Sequence, residues 1–336
     1  TPGEWLDIWV NTYLGGVKPR TAKIYQDDIR LHIKPYLAAI RLDELNTHTV
    51  QEFLNTLASR GKKIPKRDER GKIVKKDGKT VYDFVPLSPK TVKNVHGVLH
   101  GALRQAVINR YIPLNPADGD FCTLPKIEKQ ETNSLDEPQI AAFLKAVRGN
   151  EYEDIFIVTL FTGLREGEIL GLTWDCVDFD RNILKINKQM QLHQEKGMKA
   201  YQLVPVKNSK NRTVTAAPFV MAQLRRHKVT QAEQRLRAGA LWQASDLVFT
   251  NAVGGHLTKS TLYRAYKKVV ASIGRPDARF HDLRHSYAVA AIRSGDDIKT
   301  VQGNLGHATA AFTLDVYGHV TDQMKQDSAS RMEAFI

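Results

Sequence analysis

Between residues 113 and 134 the chain carries Pro113, Asn115, Pro116, Gly119 and Pro125 and loses every regular apolar spacing. Proline lacks a backbone donor and is excluded from helix interiors, while asparagine and glycine favour turns. An aperiodic stretch of roughly twenty residues divides a chain rather than filling a core. The length of 336 residues agrees, since domains run to about 100–200 residues. The expected layout is a first unit over 1–115, a linker over 116–134 and a second unit from 135 onward.

Upstream of the break the apolar period is helical. Trp5, Ile8, Trp9 and Tyr13 recur at three and four residues, the spacing of one helix face. A second helix is expected over 21–33, with Ile24, Ile29 and Ile33 inside and a stop before Pro35, because the residue before proline avoids the helical region. A third is expected over 49–59, ended by Gly61. Ser88 and Pro89 read as the cap and first turn of a fourth, with Val92, Val95, Leu99, Ala102, Leu103 and Ala106 as its apolar stripe.

Between the third and fourth helices lies an insertion at 62–84. Residues 62–79 hold nine basic side chains (Lys62, Lys63, Lys66, Arg67, Arg70, Lys72, Lys75, Lys76 and Lys79) against three acidic ones, Asp68, Glu69 and Asp77. Residues 72–76 and 79–82 flank Asp77-Gly78, a pair that supplies the positive φ angles of a tight hairpin turn. The expectation is a basic β-hairpin able to grip a DNA groove or backbone. The competing reading is a solvated charged loop.

Downstream, Asp136 and Gln139 form a capping-box pattern, and a later helix is expected to end at Thr162-Gly163. Strand patterns follow at Ile183, Leu184 and Ile186, at 203–207, and, after a turn over 208–211, at Thr213, Val214 and Thr215. They read as one small antiparallel sheet within a helical domain. From Thr258 the chain reads as helical again.

Composition limits the function classes. Apolar residues make up 42% and charged residues 25%, near globular averages, which excludes wholesale disorder. The most apolar run, residues 155–161, has the length of a core segment and falls well short of the ~20 residues of a membrane span. Cys122 and Cys176 are the only cysteines, too few for a disulfide scaffold or a four-cysteine zinc site, and a reducing compartment is expected. No secretory signal is visible and Thr1 is not Met, so a trimmed fragment is expected. Charge is the sharpest number: 49 Lys and Arg against 36 Asp and Glu give +13. A soluble chain this basic meets a polyanion. Both halves carry the excess, +7 over residues 1–120 (20 basic, 13 acidic) and +6 over the rest.

Three short segments carry chemistry. Residues 162–170 place Arg165 beside a glycine turn at a helix start, where backbone N–H groups are free to meet an anion. His281-Asp282-Leu283-Arg284-His285 sets His281 and Arg284 three apart on one helix face. Leu305-Gly306-His307 is followed ten residues later by Tyr317.

In this order the segments resemble the tyrosine recombinase family, in particular the integrases of conjugative transposons, relatives of phage lambda integrase. The resemblance is carried by Arg165 in Thr162-Gly163-Leu164-Arg165-Glu166-Gly167-Glu168, a hairpin lysine, His281, Arg284, His307 and Tyr317. Lys18-Pro19-Arg20-Thr21 with Tyr25, and Asn115-Pro116, resemble the family's core-binding domain. The implied fold is mainly α with small β elements. A helical core-binding domain and a mixed α/β catalytic domain of the tyrosine recombinase type would form a clamp on DNA. The implied domains are a core DNA-binding domain over 1–115 with the hairpin inserted at 62–84, a linker over 116–134, a catalytic domain over 135–321 and a tail over 322–336.

The resemblance also implies an activity: site-specific cleavage and rejoining of DNA through a covalent 3′-phosphotyrosine, for integration and excision of a mobile element. Arg165 and Arg284 would clamp the phosphate and Tyr317 would attack it. Lys207 would protonate the leaving 5′ oxygen, with Lys210 as competitor; His281 would assist proton transfer from Tyr317, and His307 would hydrogen-bond a phosphate oxygen. Glu168 is expected to support Arg165 or its helix. The physical demands match, since phosphodiester cleavage needs charge stabilisation, a nucleophile and a leaving-group acid. Two guanidinium forks suit a phosphate, and nearby cations ease ionisation of a phenol whose free pKa is ~10. The covalent intermediate preserves the bond energy, so no ATP, cofactor or metal is expected, and no Gly-rich GK[ST] loop is present.

DNA contacts are expected at Lys18, Arg20, Thr21, Lys23, Lys72, Lys75, Lys76, Lys79, Lys90 and Lys93. The implied partners are double-stranded DNA at attachment sites or transposon ends, further copies of the chain in a tetrameric synaptic complex, and accessory excision or DNA-bending proteins, with no membrane. The implied location is the bacterial cytoplasm, at the nucleoid. In the tail, Met332, Phe335 and Ile336 fall at helical spacing with Met324 two turns earlier. Docking of that face on its own domain and on a neighbouring protomer both remain open.

Other readings use the same residues. His281 and His285 stand at the i, i+4 spacing of a helical metal site. Against a metal hydrolase, Arg284 would set a cation beside the metal and no third ligand is specified. A DNA-binding regulator would have no need of the full set of catalytic residue types. A type IB topoisomerase shares the chemistry without exchanging strands between two sites.

Overall fold

The computed structural model describes residues 1–128, 133–195, 198–206, 211–307, 309, 311, 314, 329–330 and 332–333. The chain forms two compact units, Thr1–Lys129 and Gln130–Ile336.

In the first unit the longer helices each bury one apolar face. Helix α1 spans Pro2–Tyr13 and is capped by Thr1, whose hydroxyl accepts from the Glu4 amide at 3.3 Å and donates to the Glu4 carboxylate at 3.0 Å. Trp5, Leu6 and Trp9 are buried, and Trp5 Nε1 donates to the Ala102 carbonyl at 2.9 Å. Each such side chain contributes about 1.5–3 kcal/mol by leaving water. Ile8 lies off the stripe and is half exposed.

The second helix runs past its expected stop. Helix α2 spans Pro19–Asp28, a π-helical turn covers Ile29–Ile33, and α3 spans Lys34–Leu37. In the wide turn the Lys34 amide donates to the Ile29 carbonyl, five residues back. Pro35 then falls in the first turn of α3, where a missing N–H costs little. Ile29 and Ile33 are buried, whereas Ile24 is half exposed. Helix α4, Thr47–Arg60, is capped by Asn46 and ends at Gly61. Helix α5, Pro89–Ile108, starts at Ser88, whose hydroxyl accepts from the Thr91 amide at 3.2 Å, and it buries the whole expected stripe from Val92 to Ala106.

The basic insertion forms a ribbon longer than the expected hairpin. Strand β1 (Lys62–Pro65) pairs antiparallel with β4 (Tyr82–Val85), and β2 (Lys75–Lys76) pairs with β3 (Lys79–Thr80) at the tip. Asp77 and Gly78 make the tip turn with φ of 50° and 73°. The Lys63 ammonium stands 4.0 Å over the Tyr82 ring. Part of the stretch expected as linker packs with this unit instead: Ala117 and Cys122 are buried in its core. Gln51 holds them there by imitating a backbone partner, donating to the Thr123 carbonyl at 3.1 Å and accepting from its amide at 2.8 Å.

In the second unit α6 (Glu137–Ala146) opens with the reciprocal Asp136–Gln139 cap. Helix α7 (Glu153–Thr162) ends at Gly163, and α8 (Glu166–Leu170) follows. Strands β5 (Val177–Asp178), β6 (Ile183–Ile186), β7 (Lys188–Glu195), β8 (Met198–Pro205) and β9 (Arg212–Thr215) precede helices α9 (Pro218–Ala238), α10 (Lys259–Ser272), α11 (Asp282–Arg293) and α12 (Ile298–Leu305). Phe143, Phe156, Tyr266 and Phe280 form the aromatic centre of the core, with ring centroids 5.6–6.3 Å apart.

The single expected sheet is two. Strands β5, β6 and β9 form one antiparallel sheet, with Leu184 opposite Val214. The run ending at Pro205 pairs instead with β7, in a separate ribbon. In β7 only Met190 and Leu192 alternate with polar residues, too weak a pattern to mark a strand. Among the described residues no helix is long and apolar enough to cross a membrane.

Candidate active site

Arg165 stands between α7 and α8. Gly163 ends α7 at φ 64°, and a Cβ there would lie 2.5 Å from the Tyr287 ring and 2.8 Å from Leu305. Only glycine fits such an approach, and the turn it makes brings Arg165 beside the end of α12. The Arg165 guanidinium donates to Glu168 Oε1 at 2.8 Å and to the Gly306 carbonyl at 3.2 Å, while its amide donates to Glu168 Oε2 at 2.9 Å. The side chain remains 37% exposed, so part of its five-donor fork stays within reach of a ligand.

Glu168 is buried, 3% exposed, and pairs with a second cation. Arg212, the first residue of β9, donates to both Glu168 oxygens at 3.0 and 2.7 Å, and through Nε to the Asn304 carbonyl at 2.7 Å. Burial pushes the Glu168 carboxyl up. The hydrogen bonds and charge of Arg212, joined by the Arg165 amide and charge, outweigh burial and hold the group at about 2. Arg212 carries no sequence signal of its own, because nothing in the spacing joins it to a carboxylate 44 residues away.

Arg284, in the first turn of α11, is buried. It donates to the Gly163 carbonyl at 2.7 Å and to the Leu305 carbonyl at 2.5 Å. Three guanidiniums therefore take three consecutive carbonyls, Asn304, Leu305 and Gly306, at the C-terminal end of α12. Those carbonyls are the orphan acceptors and negative pole of a helix end. Gly306 has φ 62°, and a Cβ there would stand 3.0 Å from the Arg212 side chain, so its lack of one leaves room for the cation.

Two imidazoles complete the cluster. His281 is the N-cap of α11, and its ring meets that of His285 edge to face at 4.9 Å. His307 follows Gly306 directly; its amide donates to the Gln302 carbonyl at 3.2 Å. Enclosure by protein, then the Arg284 and Arg165 charges, pushes His307 down to about 3. Enclosure, then His285 and Arg284, pushes His281 down to about 4, although the residue as a whole is exposed. Both rings are neutral at pH 7, each with one N–H to donate and one nitrogen to accept.

Arg165, Arg284, His281 and His307 are thus brought together. Lys207, Lys210 and Tyr317 lie outside the described residues, as does most of the tail; Met332, which is described, is exposed. Among the described residues no group of three or more His, Cys, Asp or Glu side chains is placed to hold a metal ion. The expected DNA contacts all fall in the first unit: Lys18, Arg20, Thr21 and Lys23 at the start of α2, Lys72, Lys75, Lys76 and Lys79 on the ribbon, and Lys90 and Lys93 at the start of α5. All are exposed except Thr21 and Lys93, which are half-buried, and Lys23 pairs with Asp27 at 3.3 Å.

Comparison with known proteins gives the site its context. The phage integrase family model matches residues 133–324, and the phage integrase N-terminal SAM-like domain model matches residues 1–58. A tyrosine recombinase XerC-like protein of Caldanaerobacter subterraneus subsp. tengcongensis is 28% identical, over 99% of this chain and 82% of its own. The ICEBs1 integrase of Bacillus subtilis is 26% identical over 74% of this chain and 66% of its own. The solved Tn1549 transposon integrase in complex with transposon right end DNA shares the fold, with a TM-score of 0.75 and 20% identity over 99% of each chain.

Proposed function

The chain belongs to the phage integrase family; it is a site-specific DNA recombinase, and we propose that it integrates and excises a conjugative element through a covalent 3′-phosphotyrosine at Tyr317. The observation that carries this reading is the convergence of Arg165 and Arg284 on the Gly306 and Leu305 carbonyls, immediately before His307. A phosphodiester held there would meet two guanidinium donors as charge develops on its non-bridging oxygens, where preorganised donors act most strongly. Neutral His307 donates to one such oxygen, and neutral His281 accepts the Tyr317 proton. Lys207 protonates the departing 5′ oxygen, with Lys210 as the alternative. Kinship to the ICEBs1 integrase supports the choice of a conjugative element.

In this reading the core-binding domain over 1–115 and the catalytic domain over 135–321 close as a clamp on duplex DNA, and the basic ribbon at 62–84 adds phosphate contacts. The net charge of +13 makes binding strongly salt-dependent. Four copies assemble two sites, the tail over 322–336 docks on a neighbouring protomer, accessory bending or excision proteins set direction, and the enzyme works at the bacterial nucleoid. The experiment uses two duplexes carrying element ends, incubated with the protein in EDTA and without ATP. Exchanged strands support the proposal. Cleavage that stops in EDTA points to a metal hydrolase, and cleavage and rejoining of each duplex by itself without exchange points to a topoisomerase.

A further inference from the structure

We propose that Arg212 is a positioning residue that holds the Arg165 guanidinium in place through Glu168 and the end of α12. The inference rests on the assignment of Arg165 to the scissile phosphate. Arg212 is only 9% exposed in its side chain, and its Nε and both terminal nitrogens each already hold an acceptor, two on Glu168 and one on Asn304. It has no free edge for DNA and acts through its neighbours.

Those neighbours are two parts of the site. Through Glu168 it fixes the carboxylate that orients the Arg165 guanidinium. Through the Asn304 carbonyl it holds the end of α12, two residues before the Gly306 carbonyl that Arg165 also grips. Its own backbone begins β9, pairing opposite Ile186, so the side chain is carried by a paired strand. A lysine at 212 would keep the charge, but its single ammonium lacks a planar fork to span two carboxylate oxygens and a carbonyl at once.

The test measures single-turnover cleavage of a saturating nicked duplex, with the active fraction counted from the covalent-adduct amplitude. Arg212→Lys should leave DNA affinity within about threefold and lower the rate per active molecule about 10- to 100-fold, the scale of a small misplacement of reacting groups. In an Arg165→Lys background the same change should cost less than about threefold, because both act through one guanidinium. Glu168→Gln/Arg212→Gln removes both buried charges together and so guards against a folding failure; it should fold and remain slow. A lower active fraction with an unchanged rate per active molecule, or full multiplication of the two losses, would overturn the proposal. So would restoration of the rate in the neutral pair. A normal rate for Arg165→Lys would instead overturn the site assignment on which the proposal rests.

Discussion

Glu168→Gln probes the buried network at its centre. The carboxylate accepts four hydrogen bonds, from the Arg165 amide and guanidinium and from two Arg212 nitrogens. Its pKa falls from 4.5 to about 2. That difference corresponds to on the order of 3 kcal/mol of stability at neutral pH. Because the folded value lies below the unfolded one, this stabilisation is complete above about pH 4.5 and is lost as pH falls towards 2. Glutamine keeps the shape of the protonated acid and faces the guanidiniums with an amide. The variant should therefore be less stable by on the order of 3 kcal/mol at pH 7, with the gap falling to about half or less at pH 3. Urea denaturation followed by hydrogen exchange of a peptide spanning residues 164–172 reads this unit without interference from the first. A gap below about 1 kcal/mol, or one unchanged between pH 7 and pH 3, would refute the reasoning.

Three further predictions concern the catalytic groups. His281 and His307 are held at about 4 and about 3, below the ordinary 6.5; the DNA-free protein should keep both rings neutral down to about pH 5 in an NMR titration, and the stability they contribute should be lost as pH falls below 6.5. Arg165→Lys should bind DNA almost normally but cleave about 100- to 1000-fold more slowly, measured on a nicked duplex; near-normal cleavage would remove Arg165 from the phosphate. Lys207→Ala should be rescued by a 5′-phosphorothiolate substrate, and rescue of Lys210→Ala instead would move the acid along the turn.

What the sequence makes legible is local. The Asp136–Gln139 cap, the Ser88 start of α5 and the Asp77-Gly78 turn depend on neighbours within four residues, so pattern alone finds them. The continuation past Pro35 depends on a π turn that widens the helix, which no periodicity marks. The pairing of β8 with β7 rather than with the β6 sheet is a long-range choice that spacing leaves open. The site divides the same way. Arg165, Arg284 and His307 stand out as an ordered set of segments. Their anchoring on the end of α12, and Arg212 within it, arises only when segments 40 to 140 residues apart meet.

The central claim is that this arginine–histidine cluster serves a tyrosine nucleophile at Tyr317. The most direct measurement is peptide mapping of the covalent protein–DNA adduct trapped on a nicked element-end duplex. The expected product is DNA linked through a 3′ phosphate to the peptide containing Tyr317, with no adduct from a Tyr317→Phe protein that still binds the duplex. An adduct on any other residue, or one that persists in the Tyr317→Phe protein, would contradict it.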